Sequence, residues 1–498
     1  MSTEATPHVI VVGGGNAALC AAHAAHEGGA RVTLLERAPE DERGGNSYYT
    51  GGIIRFPFET VEDLVASFPE LEGGETETIE VEPYPEQAFF EDMARTTEYR
   101  ADPDLIAALV RDARGTMEWL HGHGAKLLWS LGRHAHKVEG RYRFYGGAVV
   151  TFWGGGPGLV DALYETAIEA GVEVRYDSRV IGLLGAEDGK VTGVRVHQGD
   201  GTTIEEAADA VVLACGGFQA NTAMRTQYLG PGWDLARVRG TRFNTGDGHR
   251  IAEAVGAQTF GHWSGCHAVA WDANAPLTGD RKLGDEFSRH SYPMGIVVNN
   301  ECERFLDEGA DFHTHTYAKY GAKVLEQPGM IAYQLFDAKV MEYLRGDYLG
   351  RHVTKVTADT IEGLAEQLEL DPGALAATVR SFNASIDTAD AAFDPNSKDG
   401  RSTTGIAPPK SNWAQPIDEP PFVAYPVTAG ITFTFGGLRI DEHGRALDAA
   451  DRPIPGLFAA GELVGGIFYH NYPTGTGLMT GAVFGRAAGT SAADDQTA

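Results

Sequence analysis

Apolar positions change their period several times along the chain, and each change marks an element. His8-Val-Ile-Val-Val12 is apolar at nearly every position, the pattern of a strand buried in a parallel sheet. Gly13, Gly14 and Gly15 interrupt it. An alanine-rich helical stretch then runs from Leu19 to His26 until Gly28-Gly29 stops it. Arg31-Val-Thr-Leu-Leu35 is a second buried strand ending at Glu36, so residues 8–37 predict a βαβ unit. Residues 60–82, acidic with Gly73-Gly74 in the middle, predict a surface excursion. Residues 102–125 predict a helix, and another is expected after Gly158 with Val160, Leu163 and Ile168 on its apolar face. Alternation over 172–176 and 191–196 predicts strands, and 210–214 a buried one running into Cys215-Gly-Gly-Phe218.

The style changes from about residue 268. A strand at 296–299, a helical stretch around 317–325 and amphipathic helices to about 387 precede a loop over 388–416, rich in Asp, Ser, Pro and Gly. From Pro421 the strand-and-glycine style returns and ends in a helix from about Gly477. The simplest architecture is an α/β protein. Residues 1–267 and 417–498 form a discontinuous Rossmann-type domain, and 268–416 form an inserted α+β domain.

A chain of 498 residues is long enough for more than one core. Its formal charge of −29 repels nucleic acid phosphates, so nucleic acid is an unexpected partner and an anionic substrate needs a local cationic pocket. Cys20, Cys215, Cys266 and Cys302 form no CxxC pair, so no metal site or disulfide framework is read. The N-terminus has no basic region, the run after it is broken by glycines, and no stretch is long enough to span a bilayer. A reducing, cytoplasmic location is expected.

Chemistry is most legible at the first turn. Gly13-x-Gly15-x-x-Ala18 follows a strand and opens a helix, so backbone can approach a pyrophosphate at a helix N-terminus. Glu36, at the end of the second strand, is placed to accept from a ribose hydroxyl. This fingerprint alone leaves NAD and FAD open.

Further segments resemble the flavoprotein family of fumarate reductase and 3-ketosteroid dehydrogenase. They are Gly44-Gly-Asn-Ser47, Ala214-Cys-Gly-Gly-Phe218 with Thr245-Gly-Asp-Gly248, Ile296-Val-Val-Asn299 with Glu303-Arg-Phe-Leu-Asp-Glu308, and Pro455-Gly-Leu-Phe-Ala-Ala-Gly-Glu462. Within that family the chain looks most like tricarballylate dehydrogenase. The segments that carry this are Gly13-Gly-Gly-Asn-Ala-Ala-Leu-Cys20, Asp307-Glu-Gly-Ala-Asp-Phe312, Thr316-Tyr-Ala-Lys-Tyr-Gly321, Gly430-Ile-Thr-Phe-Thr-Phe-Gly-Gly437 and Tyr469-His-Asn-Tyr-Pro473. The resemblance implies a glutathione-reductase-like FAD domain with a capping domain. It implies FAD held by Gly13, Gly15, Asn16, Ala17, Glu36, Arg37, Asn46, Ser47, Val180, Ala214, Gly216, Asp247 and Glu462. The backbone at Gly477 and Leu478 would meet the flavin pyrimidine edge, where a helix N-terminus favours negative charge. Members with covalent flavin carry a histidine near Gly-Gly-Asn-Ser; here Tyr48 and Tyr49 stand there, which implies non-covalent FAD.

Forming a C=C bond needs a hydride taken from one carbon and a proton from the next. Fumarate reductases use arginines for proton transfer and for clamping the substrate. In this chain Tyr317 falls near the first and Tyr472 at the second. Thr432 replaces a clamp-side histidine, and His267 matches a second family histidine. Tyrosine pairs are used by 3-ketosteroid dehydrogenases and suit a tricarballylate-type enzyme. The resemblance thus implies Tyr317, Tyr472 and His267 as catalytic residues. An unperturbed tyrosine, with a pKa of about 10, is a poor base at neutral pH. His313, His315 and Lys319, close by in sequence, are expected to lower it or relay the proton. Cations for an acidic substrate are sought at Arg55 and in the clusters Arg133, His134, His136 and Arg141, Arg143. Arg55, Thr432 and His313 are the substrate-binding candidates. The resemblance to tricarballylate dehydrogenase weakens just after Gly44-Gly-Asn-Ser47, where that enzyme is more basic.

The expected activity is an FAD-dependent dehydrogenase on a tricarballylate-like polycarboxylate or related acid, passing electrons to a soluble or membrane-peripheral acceptor. The alternatives are a 3-oxosteroid desaturase and a fumarate-reductase-like enoate reductase. A flavin-binding subunit without turnover is disfavoured by Tyr317, Tyr472 and His267 occurring together.

Overall fold

The computed structural model describes residues 6–185, 189–387 and 391–494. The N-terminal five residues, positions 388–390 of the expected loop and the last four of the tail lie outside the described residues. The first sheet has six strands, in the order Arg445–Leu447, Pro453–Ala459, Ala210–Leu213, His8–Val12, Arg31–Leu35, Glu173–Arg175. All neighbours are parallel except the first pair. The strands His8–Val12 and Ala210–Leu213 are buried throughout because helices and the antiparallel strands Ser178–Leu184 and Gly193–Gln198 pack on their sheet, which is why their sequences run apolar without alternation.

One face carries helix Asn16–Glu27 packed against the C-terminal helix Thr476–Asp494. The approach is close: a Cβ on Gly489 would lie 2.1 Å from the Ala21 carbonyl oxygen. This contact joins the first and last parts of the chain and brings Leu478 over the first turn.

The second sheet is organised by one long strand, Phe422–Leu438, whose 17 residues pair with four other strands. Thr259–Asp272 runs antiparallel along nearly its whole length. Ala332–Phe336, Val356–Ala358 and Arg237–Val238 pair at other positions, and Ile296–Asn299 pairs with Ala332–Phe336. This sheet draws strands from both sides of positions 267 and 417. Its satellite core is filled by Leu364, Leu375, Val379 and Phe382 from helices Ile361–Gln367 and Pro372–Ala384. A separate antiparallel meander, Ser178–Leu184, Gly193–Gln198 and Thr203–Ala207, follows the last strand of the first sheet.

Several sequence expectations are corrected. Residues 60–82 are not merely a surface excursion, because Leu64, Phe68, Leu71 and Ile79 are buried in the main core. These four apolar residues are diluted by acidic neighbours that face outward. The helix expected after Gly158 begins at Gly155, and its Ile168 is half exposed. Strands Thr259–Asp272 and Ala332–Phe336 carried too little alternation to be singled out.

Candidate functional site

A single long cavity, with about 1870 Å³ of empty space and an opening to solvent, runs from the first βαβ unit to the second sheet. At one end lies the glycine turn. Gly13 has φ of +116°, and a Cβ there would sit 2.4 Å from the Ala214 carbonyl oxygen, so only glycine lets the two strand ends meet. The helix that follows is N-capped by Gly15 without a side-chain acceptor, and its first turn has no acidic residue. Its free N–H groups therefore favour an anion in the cavity. The Asn16 backbone N–H donates to Ser47 Oγ at 3.0 Å, and its side-chain amide donates to the Leu478 carbonyl at 2.8 Å. One asparagine thus ties the first turn, the Gly44-Gly-Asn-Ser stretch and the C-terminal helix together.

Glu36 is buried at the end of the second strand, and its Oε1 accepts from the Ala38 N–H at 2.7 Å. Burial pushes its carboxyl up, against the pull of the backbone donors. Arg37 donates to the Phe243 carbonyl at 2.9 Å, Thr245 Oγ1 at 2.6 Å and Asp247 at 2.9 Å. Asp247 also takes both arms of Arg179, at 2.8 and 2.9 Å. Arg37 and Asp247 therefore reach the cavity as part of a locked ion-pair network.

Farther in, the Asn46 amide donates to the Thr432 carbonyl, and Asn46 Oδ1 accepts from the Thr241 N–H at 2.9 Å. Glu462 accepts from the Thr434 N–H at 2.9 Å, from Asn244 at 3.1 Å and from Gln219 at 3.2 Å. Burial raises its carboxyl to about 7. Ala17, Val180, Ala214, Gly216, Gly477 and Leu478 line the same cavity. An elongated space with an acid at one end, free helix N–H groups in the middle and a second helix N-terminus at the other fits an extended dinucleotide such as FAD.

The far end is built by aromatic rings. His267 stacks on its cross-strand partner Phe433 with centroids 4.9 Å apart, at a point where the strand register shifts between His267 and Ala268. Such irregularities re-aim side chains beside functional sites. His267 also meets Tyr317 and Tyr472 edge-on, each at 4.9 Å, and the two tyrosine rings lie 6.0 Å apart. The Tyr472 hydroxyl accepts from the Gly475 N–H at 3.0 Å. Burial holds Tyr317 well above the ordinary tyrosine pKa; Tyr472 adds to the rise and the positive charge of Arg239 opposes it. Burial likewise keeps the His267 and His290 imidazoles neutral.

The structure corrects the expected neighbours of Tyr317. Lys319 is exposed, since its helical position turns it outward. His315 faces Asp92 at 3.3 Å. His290, 4.7 Å away in ring centroids, stands beside Tyr317 instead. Arg55 does not line the cavity. Its fully buried guanidinium donates to Asp92 at 3.0 Å, Tyr84 at 2.7 Å and the Thr474 carbonyl at 2.8 Å. His136 lies outside the main cavity, and Arg141 and Arg143 pair with Glu80 at the surface. His313 does line the cavity. Thr432 does too, and its hydroxyl accepts from Arg239 at 3.0 Å.

Arg239 and Arg345 were not distinguished in the sequence. Arg239, 8% exposed, is held by Asp285 at 2.6 and 2.8 Å. Arg345, 5% exposed, reaches His313 at 3.1 Å and Asp347 at 3.2 Å. Neither sits in a recognisable motif. Among the described residues no cluster of three or more His, Cys, Asp or Glu could hold a metal, and no helix is long and apolar enough to cross a membrane.

The FAD binding domain family matches residues 8–478. A probable fumarate reductase, Ifc3, of Shewanella frigidimarina is 29% identical over 491 residues, covering 98% of this chain and 75% of that protein. The 3-oxosteroid 1-dehydrogenase of Mycobacterium tuberculosis is 28% identical over 457 residues, covering 86% and 78% respectively. The open conformation of a flavocytochrome c3 fumarate reductase superposes with a TM-score of 0.72 at 27% identity, over 99% of this chain and 79% of that one. The chain belongs to the FAD binding domain family and is an FAD-dependent oxidoreductase of the fumarate reductase and 3-oxosteroid dehydrogenase group, acting on CH–CH or C=C bonds.

Proposed function

We propose that the protein is a dehydrogenase that forms a C=C bond in a tricarballylate-like polycarboxylate or related acid, with FAD held non-covalently. The observation that carries the substrate class is the set of three arginines, Arg133, Arg239 and Arg345, on the wall of the cavity that also holds Tyr317. Among the described residues only Asp285 and Asp347 pair with them, and burial pushes the Asp347 carboxyl up. A cationic surplus in a mostly buried wall favours a carboxylate and disfavours an apolar steroid skeleton.

FAD, when bound, exchanges a hydride with one substrate carbon. Tyr317 handles the proton at the neighbouring carbon, and the Arg239 charge favours its phenolate. Tyr472 grips the activating carboxylate or carbonyl, and His267 fixes the angle between the two rings. At the cofactor end, Gly13 and Gly15 admit the pyrophosphate and Glu36 accepts from the ribose. The Val180 backbone meets the adenine, and Asn46, Ser47 and Glu462 serve the middle of the cofactor. The backbone at Gly477 and Leu478 faces the ring. No histidine occurs from Gly44 to Thr50, which supports non-covalent attachment. A reducing, cytoplasmic compartment agrees with four unpaired cysteines, and a soluble or membrane-peripheral acceptor completes the cycle.

A second reading rests on Tyr317 itself. A buried phenol that keeps its proton is ready to donate one, which favours reduction of an enoate of the same acid class at neutral pH. Anaerobic mixing of the holoprotein with tricarballylate, succinate and a 3-oxosteroid tests the assignment. Bleaching of the visible flavin band by a polycarboxylate is expected. Bleaching by the steroid alone would refute the substrate class. If no acid reduces the flavin but dithionite-reduced protein is reoxidised by an unsaturated acid, the enoate reading holds.

A further inference from the structure

Beyond the tyrosine pair the cavity continues along a row of rings. From Tyr317 the next centroid is His290 at 4.7 Å, then His313 at a further 6.4 Å, with His134 stacked 5.3 Å beyond it. The row ends at the Arg345 guanidinium, which donates to His313 Nε2 at 3.1 Å. These residues line the main cavity, and Arg133, His290, His313 and Arg345 also line a smaller adjoining cavity with about 320 Å³ of empty space.

The polar groups here are under-used. His290 is 3% exposed, yet neither of its ring nitrogens has a hydrogen-bond partner among the described residues. Arg345 Nε, equally buried, has none either. Buried donors left unmade are costly, and they mark where a ligand atom belongs. Reaction at Tyr317 does not need them: Arg239, Thr432 and Tyr472 already surround that centre. Asp347, the carboxylate on Arg345, is itself disfavoured as an anion by burial, which leaves the guanidinium incompletely neutralised.

We infer that Arg345 and His290 form a remote carboxylate subsite, separate from the Tyr317–Tyr472–Arg239 centre, so that the preferred substrate carries a second carboxylate distant from the bond that reacts. Arg345 supplies the charge-assisted donor and a neutral His290 adds a ring N–H. This inference rests on the carboxylate reading above, and makes Arg345 a specificity-determining residue.

The test compares tricarballylate with its monomethyl ester at a terminal carboxylate, using perturbation of the oxidised flavin spectrum to measure Kd in holoprotein. The wild type should bind the tricarboxylate on the order of tenfold to a hundredfold more tightly than the ester. The R345Q/D347N pair, which removes both charges and so leaves no unpaired buried ion, should erase that preference while binding the ester as the wild type does. R345K should retain part of it, and supplies the answer if the double variant does not fold. A double variant or R345K that keeps the full wild-type preference would overturn the subsite while leaving the carboxylate reading intact. A wild type that prefers the tricarboxylate, paired with variants that lose affinity for acid and ester equally, would assign Arg345 a structural role only and overturn the subsite too. A wild type that binds neither ligand would overturn the carboxylate reading itself, and the subsite with it.

Discussion

At the cofactor end of the cavity recognition rests on backbone: a glycine turn, free helix N–H groups and one buried acid. At the substrate end it rests on side chains from residues as far apart as Arg239 and Tyr472, gathered by the long strand Phe422–Leu438 and its neighbours. Backbone recognition tolerates side-chain change except where a Cβ would collide, as at Gly13. Side-chain recognition can be retuned one residue at a time. A single architecture can therefore keep its cofactor while the side chains of its substrate wall change.

The contrast is sharpest for Tyr317. Tyr317→Phe removes one hydroxyl from a packed ring, so flavin should be retained while its reduction by substrate slows about 10²–10⁴-fold in rapid-mixing experiments. Equal rates in the two proteins would move the proton to another group. The next effect separates a support from a ligand. Arg55→Met breaks a buried ion pair with Asp92, which should cost about 3 kcal/mol in denaturant unfolding. The Kd of substrate should change less than threefold, and a large rise in Kd with unaltered stability would restore Arg55 to the binding site.

At the other end, Glu36→Ala should weaken FAD binding on the order of tenfold to a hundredfold, measured by fluorescence of released flavin on dilution. Unchanged retention would remove Glu36 from the ribose. The smallest effect belongs to Lys319→Ala. Because that side chain is exposed, flavin reduction should stay within about twofold of wild type; a larger loss would return Lys319 to the proton path.

How much of this was legible in the sequence follows the same divide. The βαβ start, Glu36 and the C-terminal helix are local patterns, and they occur where periodicity and glycines predict them. Tyr317, Tyr472 and His267 emerged by resemblance, and they meet in one cluster. Arg239, His290 and Arg345 stayed hidden because none of them sits in a recognisable motif, and only the pairing of distant segments brings them together. Arg55 misled for the converse reason: it adjoins the flavin segment in sequence, but its side chain points behind the wall toward Asp92. His315 and Lys319 misled because nearness along a helix says little about which side faces the cavity.

The most direct test of the account is the pH dependence of flavin reduction in wild type and Tyr317→Phe, with an acid that reduces the flavin. Burial holds the Tyr317 proton well above the ordinary pKa, so the phenolate needed for dehydrogenation is scarce at neutral pH and grows as pH rises. The wild-type rate should climb by about tenfold per pH unit through the neutral and mildly alkaline range, and the variant should be slow with a flat profile. The same climb in Tyr317→Phe would contradict the assignment of Tyr317 as the proton-transfer residue.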